Sequence, residues 1–403
     1  MPNPASGQDQ RRAATVGVVR EAMAGEWRVA LTPAVVPALT RAGCQVVVES
    51  SAGLAAGATD DAYRERGATV VEREEALGAD VLLAVRPPGT TGHAGQADLE
   101  RLRADQVVIG LCDPLSAPDG VRAMAERKLT VFALELLPRI TRAQAMDVLS
   151  SQATVAGYKA TVLAAGALAK MFPLLTTAAG TIAPARVLVV GAGVAGLQAI
   201  ATARRLGAVV EAYDLRPAVK EQIESLGARF VELPLEAGDA EAGGGYAQEM
   251  DADFYRRQRE AMTAVVAAND VVITTALVPG RRAPVLVTAD MVAAMGPGSV
   301  VIDLAAAQGG NCELTRPDET VTVGGVTVLG PTNLPATVPA HASQMYAKNV
   351  SAFLLHLLRD GRPELDLEDE ITRETLVAAD GRVTHPRVRD ALGLDTTEVA
   401  DGQ

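Results

Sequence analysis

Short apolar runs rich in β-branched residues alternate with helical patterns over the first third of the chain. Each run has the length of a strand that is buried on both faces of a parallel sheet. The runs are Val16–Arg20, Gln45–Glu49, Thr69–Glu72, Val81–Arg86, Val107–Leu111 and Thr130–Leu136. Their alternation with helices predicts a first doubly wound domain.

A second alternation begins after a long helical pattern at Ala143–Met171. Its apolar runs are Val187–Val190, Val209–Tyr213, Asp270–Leu277, Ser299–Ala305 and Val326–Gly330, and a last helix is predicted at Ala340–Arg359. The predicted fold class is α/β, with two Rossmann-like doubly wound parallel-sheet domains joined by long helices and a ligand cleft between them.

The same pattern predicts the domain boundaries. The first Rossmann-like domain is expected to be discontinuous, with residues 15–150 and 341–380, and the second to span residues 151–340. Residues 1–14 are polar and are predicted to be a disordered leader, and residues 381–403 are predicted to be an acidic C-terminal tail.

Three glycines with GxGxxG spacing follow the run Val187–Val190 and open a predicted helix at Ala195–Leu206. The first glycine permits a tight turn, the second lets the backbone approach phosphates, and the third brings helix and strand close together. The helix N-terminus adds unpaired N–H groups and the positive end of the helix dipole. The segment predicted to bind a pyrophosphate comprises Gly191, Ala192, Gly193, Val194 and Gly196.

Asp214 lies at the end of the next predicted strand. A carboxylate at this position can accept both hydroxyls of an adenosine ribose and would repel a 2′-phosphate. The expected cofactor is therefore NAD(H) rather than NADP(H), and residues 151–340 are expected to be an NAD(H)-binding domain. Leu215 and Arg216 follow directly and are predicted to line the same site, where the arginine could soften the discrimination.

Composition and charge exclude several classes of protein. A net charge of −12 without a basic run argues against nucleic acid and anionic membranes as direct partners. Cys44, Cys112 and Cys312 are too scattered for a disulfide framework and are expected to be buried and reduced. The histidines show no metal-ligand spacing, so no metal is predicted. The most apolar stretch, Ala160–Pro184, is interrupted by a lysine and a proline and is too short for a transmembrane helix.

Four segments carry a resemblance to a known family: RVALTP (28–33), VVGAGVAG (189–196), TTALVPGRRAPVL (274–286) and PGSVVIDLAAAQGG (297–310). From about residue 15 to residue 359 the chain resembles the NAD(H)-binding subunits (domain I) of proton-translocating nicotinamide nucleotide transhydrogenases, in a superfamily shared with alanine dehydrogenases. The segment PRITRAQAMDVLSSQATVAGYKA (138–160) separates the two groups, because it is similar to the transhydrogenase nicotinamide loop and helix over nearly its whole length.

By this resemblance, Gln144 orients the nicotinamide and its ribose, Arg139 lies by the carboxamide or phosphates, and Asp147 and Ser150 complete the network. Steps of three residues would place Gln144, Asp147 and Ser150 on one helical arc of roughly 120°. Taken singly, each could equally be a helix cap or part of a solvated face. Further cofactor contacts are implied for Ile140, Thr141, Ala276 and Leu277.

The stretch Glu236–Met262 is rich in glycine and too long for an ordinary connection. It resembles the mobile loop of the family, which folds over bound NAD(H), with contacts from Gly245, Tyr246 and Met250. The alternative is a disordered acidic insertion.

Two other functions stay open beside a transhydrogenase. Alanine dehydrogenases use a lysine, a histidine and an aspartate, and their positions fall here on Ala84, Cys112 and Ala307, none of which can transfer a proton. Arg28 matches the arginine that binds the substrate carboxylate, but it could equally form a structural ion pair. A non-catalytic NAD(H)-binding protein is the third possibility.

The resemblance also implies partners. Residues 360–403 are acidic and contain no hydrophobic span, so the membrane domain is expected on another chain. The expected partners are an NADP(H)-binding beta subunit, which carries the second cofactor, and a membrane-spanning subunit. The chain is expected to be a homodimer in the cytoplasm, peripheral to the inner membrane through these partners.

Overall fold

The computed structural model describes residues 13–233, 252–277 and 280–394, with two short strand pieces at 241–242 and 246–247. The chain forms two compact units, one that ends at Val148 and resumes at Pro339, and one that spans Leu149–Val338. These boundaries lie two residues before the predicted boundaries at 150 and 340.

The first unit begins with alternating strands and short helices. The strands are β1 (Thr15–Val18), β2 (Gln45–Glu49), β3 (Thr69–Val71), β4 (Val81–Leu83), β5 (Val107–Gly110) and β6 (Thr130–Ala133). The helices are α1 (Val36–Arg41), α2 (Asp60–Glu65), α3 (Arg73–Leu77), α4 (Gln96–Arg101) and α5 (Asp119–Glu126). Short 3-10 turns lie at Pro33–Val35, Leu54–Ala56, Gly92–Gly95, Leu134–Leu136 and Thr141–Met146.

The second unit opens with a 20-residue helix, α6 (Val148–Ala167), whose first residue closes the first unit. Its strands are β7 (Leu175–Thr177), β8 (Gly180–Ile182), β9 (Arg186–Val190), β10 (Val209–Tyr213), β11 (Arg229–Phe230), β12 (Glu241–Ala242), β13 (Tyr246–Ala247), β14 (Val271–Thr274), β15 (Val300–Asp303), β16 (Thr320–Val323) and β17 (Val326–Leu329). The other helices are α7 (Val194–Arg205), α8 (Lys220–Ser225), α9 (Ala252–Ala267) and α10 (Ala289–Ala293), with 3-10 turns at Pro217–Val219, Ala306–Gln308 and Leu334–Thr337.

The chain then completes the first unit. This last stretch contains α11 (Pro339–Leu357), β18 (Leu358–Arg359), β19 (Arg362–Pro363), α12 (Glu370–Thr375), β20 (Leu376–Ala379), β21 (Arg382–Val383) and α13 (Pro386–Ala391). Residues 382–391 therefore form a strand and a helix, and the expectation of an acidic tail from residue 381 is wrong for them. Of the predicted leader, residues 1–12 lie outside the described residues, and Ala14 is buried and donates its N–H to the carbonyl of Gly361.

The sheet of the first unit has eight strands in the order β21-β20-β6-β5-β4-β1-β2-β3. The six strands β1 to β6 are parallel, and β20 and β21 extend one edge in antiparallel fashion. Apolar residues pack on both faces. Tyr346 and Phe353 of α11 are fully buried on one face, and Met124 of α5 on the other.

The sheet of the second unit has seven strands in the order β11-β10-β9-β14-β15-β17-β16, and all are parallel except β16. Helices α6 and α7 pack on one face, and α9 and α10 on the other. Strand order reverses between β9 and β14, the place where open α/β sheets bind ligands. The predicted fold class, two parallel-sheet α/β domains, is confirmed.

The long helix predicted from Ala143 is shorter than expected. The chain forms a 3-10 turn up to Met146, and Asp147 has a non-helical ψ of 89°. Helix α6 starts only at Val148, so Gln144 and Ser150 do not lie on one helix. Buried Ala143 and Met146 hold the turn against the core of the first unit, which overrides the helical propensity of the segment.

Among the residues that the structure describes, no helix combines the length and the apolar character needed to cross a membrane.

Close backbone packing inside the second unit generates a stability prediction. A Cβ on Gly157 of α6 would lie 2.0 Å from the carbonyl oxygen of Ala195 in α7. Gly157→Ala should therefore force the two helices apart and lower the free energy of unfolding by about 1–3 kcal/mol. Chemical denaturation measures this change.

Gly166→Ala is the matched control, because Gly166 lies in the same helix and a Cβ there meets nothing within 4 Å. It should raise the free energy of unfolding by about 0.5–1 kcal/mol through helix propensity alone. Equal effects of the two substitutions would contradict the packing described here.

Candidate functional site

The glycine loop follows β9 directly, as predicted. Gly191 has a φ of 97°, a left-handed conformation that favours glycine. A Cβ on Gly196 would lie 1.9 Å from the carbonyl oxygen of Gly191, so the third glycine brings helix and strand together. A Cβ on Gly193 would meet no heavy atom within 4 Å, so the space in front of this residue is open. The loop thus has the shape of a cradle for a pyrophosphate at the N-terminus of α7.

Helix α7 begins at Val194, one residue before the predicted start, with Gly193 as its N-cap. Ala192 is buried, and its N–H donates to Oδ2 of Asp214 at 2.7 Å. This N–H is therefore already used within the protein and does not face a phosphate. The N–H groups that remain for a phosphate are those of Gly193 and of the first residues of α7.

Asp214 directly follows β10 and is only 8% exposed. Its Oδ1 accepts from the backbone N–H and Nε of Arg216, at 2.8 and 3.0 Å. Its Oδ2 accepts from Nη2 of Arg216 at 3.0 Å, in addition to the Ala192 N–H. The carboxylate is thus a bidentate partner of Arg216, and a ribose diol that binds Asp214 has to replace guanidinium hydrogen bonds.

The segment after β14 lies on the other side of the point where the strand order reverses, opposite the glycine loop. Thr275 donates its hydroxyl to the carbonyl of Gly191 at 3.0 Å. Ala276 and Leu277, both predicted cofactor contacts, follow at partly or well exposed positions. Both backbone groups of Ala276 bond to one side chain: Asn311 Oδ1 accepts its N–H at 3.0 Å, and Asn311 Nδ2 donates to its carbonyl at 2.9 Å. The N–H of Ala276 is therefore already used, while its side chain and the second lone pair of its carbonyl can contact a cofactor.

Sequence reasoning missed two residues that hold the segment after β14 in place. Asn311 is fully buried and also donates to the carbonyl of Pro284. Asp303, equally buried at the end of β15, accepts from the Thr274 and Thr315 hydroxyls and from two backbone N–H groups. The sequence contained a signal for each residue. Asp303 is the polar residue within the apolar run IDLA, and Asn311 is the asparagine that follows the glycine pair in QGGN.

The predicted nicotinamide segment lies around the 3-10 turn of the first unit. Arg139, Thr141 and Gln144 are exposed, whereas Ile140 and Asp147 are half-buried. Ser150 is half-buried in the first turn of α6, in the second unit. The single helical arc predicted for Gln144, Asp147 and Ser150 is wrong, because the helix starts after Asp147. A site shared by these residues and the glycine loop stays a prediction.

The predicted loop at Glu236–Met262 is described only over some of its residues. Gly245 and Met250 lie outside the described residues, and the backbone of Tyr246 belongs to the short antiparallel pair of β12 and β13. From Ala252 onward the segment is helical, so the loop prediction is wrong for these residues. Gln258 of α9 donates to the hydroxyl of Tyr213 at 2.7 Å, which links the helix to the strand that directly precedes Asp214.

The positions that would carry amino-acid dehydrogenase chemistry are inert. Ala84 and Cys112 are buried at the carboxyl ends of β4 and β5, and burial raises the pKa of the Cys112 thiol well above its usual value. Ala307 is exposed in a 3-10 turn. Arg28 forms a buried ion pair with Glu26, at 2.6 Å between Nη2 and Oε2. This contact supports the interpretation of Arg28 as part of a structural ion pair rather than as a substrate-binding residue.

Two carboxyls at the same edge, both on half-buried residues, were not predicted. Burial raises the pKa of Glu21 to about 7, although its oxygens accept the N–H groups of Val85 and Arg86 at 2.6 and 2.9 Å. Burial also raises the pKa of Glu135, which accepts from the N–H of Asp113 at 2.6 Å. Both carboxyls hold the backbone that follows β4 and β5. This explains why β4 ends at Leu83 and not at the predicted Arg86.

The three cysteines are buried and free, as expected. Within the described ranges, no group of three or more potential ligands could hold a metal ion.

Comparisons with known proteins agree with this geometry. Residues 17–156 match the family described as alanine dehydrogenase/PNT, N-terminal domain, and residues 160–386 match its C-terminal domain. The chain is 47% identical over 376 residues to an NAD(P) transhydrogenase subunit alpha of Rhodospirillum rubrum, a match that covers 92% of this chain and 98% of that protein.

A solved structure of transhydrogenase from Sinorhizobium meliloti superimposes with a TM-score of 0.82 at 44% identity, and the match covers 92% of this chain and 99% of that one. Alanine dehydrogenase 1 of Staphylococcus aureus is more distant, at 28% identity over 95% of this chain and 98% of that protein. The predicted resemblance is thus confirmed: the chain belongs to the alanine dehydrogenase/PNT family and, within it, groups with the alpha subunits of NAD(P) transhydrogenase.

Proposed function

We propose that this chain binds NAD(H) and exchanges a hydride with NADP(H) held on a partner beta subunit of a transhydrogenase. A separate membrane-spanning subunit would couple this exchange to proton translocation. The chain would act as a homodimer on the cytoplasmic side of the membrane, held there by its partners.

One observation carries the proposal. The chain combines a nucleotide cradle with an edge of the first sheet where Ala84 and Cys112 replace proton-transferring side chains. Oxidation of an amine requires general acid–base catalysis. Hydride exchange between two nicotinamides changes no O–H or N–H bond, so it needs no such group and depends on alignment.

The residues of the chain fit NAD(H). The open space at Gly193 and the start of α7 suit a pyrophosphate, and Asp214 suits the two ribose hydroxyls once Arg216 is displaced. When bound, the dihydronicotinamide supplies a hydride from C4. Gln144 would orient the ring through hydrogen bonds from its amide, with Arg139, Asp147 and Ser150 around it. The chain would also exclude water from the two rings.

The first test concerns the hydride step. Gln144→Asn should slow single-turnover hydride transfer from NADH to the NADP⁺-loaded partner by about 100-fold, because a misplacement of about 1 Å costs on this order in rate. NADH affinity should change little, since the phosphate and adenosine contacts remain. Stopped-flow absorbance measures the rate and calorimetry the affinity.

Gln96→Asn shortens another amide of the first unit, which bonds to Glu100 within α4, and should leave the rate unchanged. A Gln144→Asn variant that transfers hydride at the wild-type rate would show that Gln144 is not at the reaction site.

The second test concerns cofactor choice. Asp214→Asn removes the charge that would repel a 2′-phosphate and releases Arg216 to meet it. The preference for NADH over NADPH should therefore shrink by about 10-fold or more, given the strength of charge-assisted hydrogen bonds. Isothermal titration with both nucleotides measures the two affinities.

Asp270→Asn is the control, because Asp270 lies in the same unit just before β14 and pairs with Lys170. It should leave the preference unchanged. Equal wild-type affinities for NADH and NADPH would refute the assignment of Asp214.

The amino-acid dehydrogenase is the second candidate, favoured by the family match and by Glu21, whose pKa near 7 would suit a general base. Because Ala84, Cys112 and Ala307 cannot transfer a proton, we expect no NADH formation from NAD⁺ and L-alanine between pH 7 and pH 10. Robust formation, lost in Glu21→Gln, would establish the dehydrogenase instead. Binding of NADH without transfer in either assay would favour a non-catalytic binding protein.

A further inference from the structure

We propose that Asn349 is a positioning residue for hydride transfer and acts by fixing the direction of the Gln144 side chain. The inference rests on the proposed function, because it gives Asn349 a role only if Gln144 orients the nicotinamide. Asn349 lies on α11, which is far from Gln144 along the chain but belongs to the same unit.

The contact is direct. Nδ2 of Asn349 donates to the carbonyl oxygen of Ala145 at 2.8 Å. Ala145 follows Gln144, so the hydrogen bond fixes the peptide between Ala145 and Met146. This peptide lies one residue away from the Cα that carries the Gln144 side chain. Asn349 itself is 9% exposed and sits on the helix face that packs in the core of the first unit. The donor is therefore held by a rigid element.

The segment that carries Gln144 is a 3-10 turn, whose hydrogen-bond geometry is poorer than that of an α-helix. The bond that closes it, from the Asp147 N–H to the Gln144 carbonyl, is long at 3.4 Å. Ala143 and Met146 are buried, whereas Gln144 and Ala145 between them are exposed. The two apolar side chains anchor the ends of this exposed pair. The Asn349 hydrogen bond adds a restraint on the peptide that joins Ala145 to Met146.

A second tether to this turn is weaker. Arg142 pairs with Asp369 at 2.9 Å, and Asp369 also caps α12 and accepts from His356. The Arg142 side chain is 60% exposed, so solvent screens this ion pair. Of the two tethers, the buried amide should dominate the orientation of the turn.

The contact leaves Asn349 with an unfavourable environment, because its Oδ1 is buried and has no hydrogen-bond partner among the described residues. A buried polar atom without a partner disfavours folding. Packing alone would thus favour an apolar side chain at this position. A role in orienting the turn gives a physical reason for an amide here.

The test is a double-mutant cycle on the full chain, loaded with NADH, and its NADP⁺-loaded partner. Asn349→Ala should slow single-turnover hydride transfer by about 10-fold, while the Kd for NADH changes less than about 2-fold. In the Gln144→Asn background the same substitution should slow transfer by less than about 3-fold, because the side chain through which Asn349 acts is already misplaced. If the double variant were slowed by the product of the two single-variant factors, the proposal would be wrong.

Asn269→Ala is the matched control. Asn269 is also a buried asparagine that donates to one backbone carbonyl, that of Val265, and also has an Oδ1 without a partner among the described residues, but it lies after α9 in the second unit. It should leave the transfer rate unchanged. Thermal unfolding of all variants shows whether a slow rate reflects loss of fold, and an Asn349→Ala chain that is folded and fully active contradicts the proposal.

The outcomes separate this inference from the proposed function. If Gln144→Asn leaves the rate at the wild-type value, the assigned reaction site fails. If Gln144→Asn slows transfer and Asn349→Ala does not, only the positioning role of Asn349 fails.

Discussion

Close approach of backbone atoms at glycine positions is the constraint on which the nucleotide site depends. Gly196 lies against the carbonyl of Gly191, and Gly157 lies against the carbonyl of Ala195, in both cases closer than a side chain permits. The two contacts stack α6, α7 and β9 so that the start of α7 faces the end of its strand. The phosphate cradle is thus a result of helix packing as much as of the glycine loop.

Side chains distant in sequence hold the rest of the site. The Ala192 N–H bonds to Asp214, and Asn311 bonds both backbone groups of Ala276, so the turns after β9, β10 and β14 are tied to one another or to the loop after β15. A preorganised site of this kind loses little entropy when a ligand binds. In the first unit, Asn349 likewise bonds to the backbone of a turn distant in sequence, the turn that contains Gln144.

Much of the fold was predictable because its physical cause is local. The strands Gln45–Glu49 and Val209–Tyr213 have the predicted bounds, since each contains consecutive valines and is buried in a parallel sheet. The glycine loop and the position of Asp214 follow from spacing alone. The identity of the family followed from four motifs and the segment at 138–160.

The remainder depends on contacts that spacing does not reveal. The break at Asp147 arises because Ala143 and Met146 are buried in another core than α6, whose apolar residues pack in the second unit. Glu21 shortens β4 by taking N–H groups from residues more than sixty positions away. Asn311 and Asn349 look like ordinary polar residues in the sequence, and only the fold gives them their partners.

The central claim is a direct hydride transfer without acid–base chemistry, and isotope tracing tests it most directly. NADH that carries deuterium at the transferable C4 position is mixed with this chain and the NADP⁺-loaded partner in ordinary water. The account predicts that the deuterium appears at C4 of the NADPH formed, with none lost to solvent. Deuterium washed out into water, or NADPH formed without it, would contradict the account.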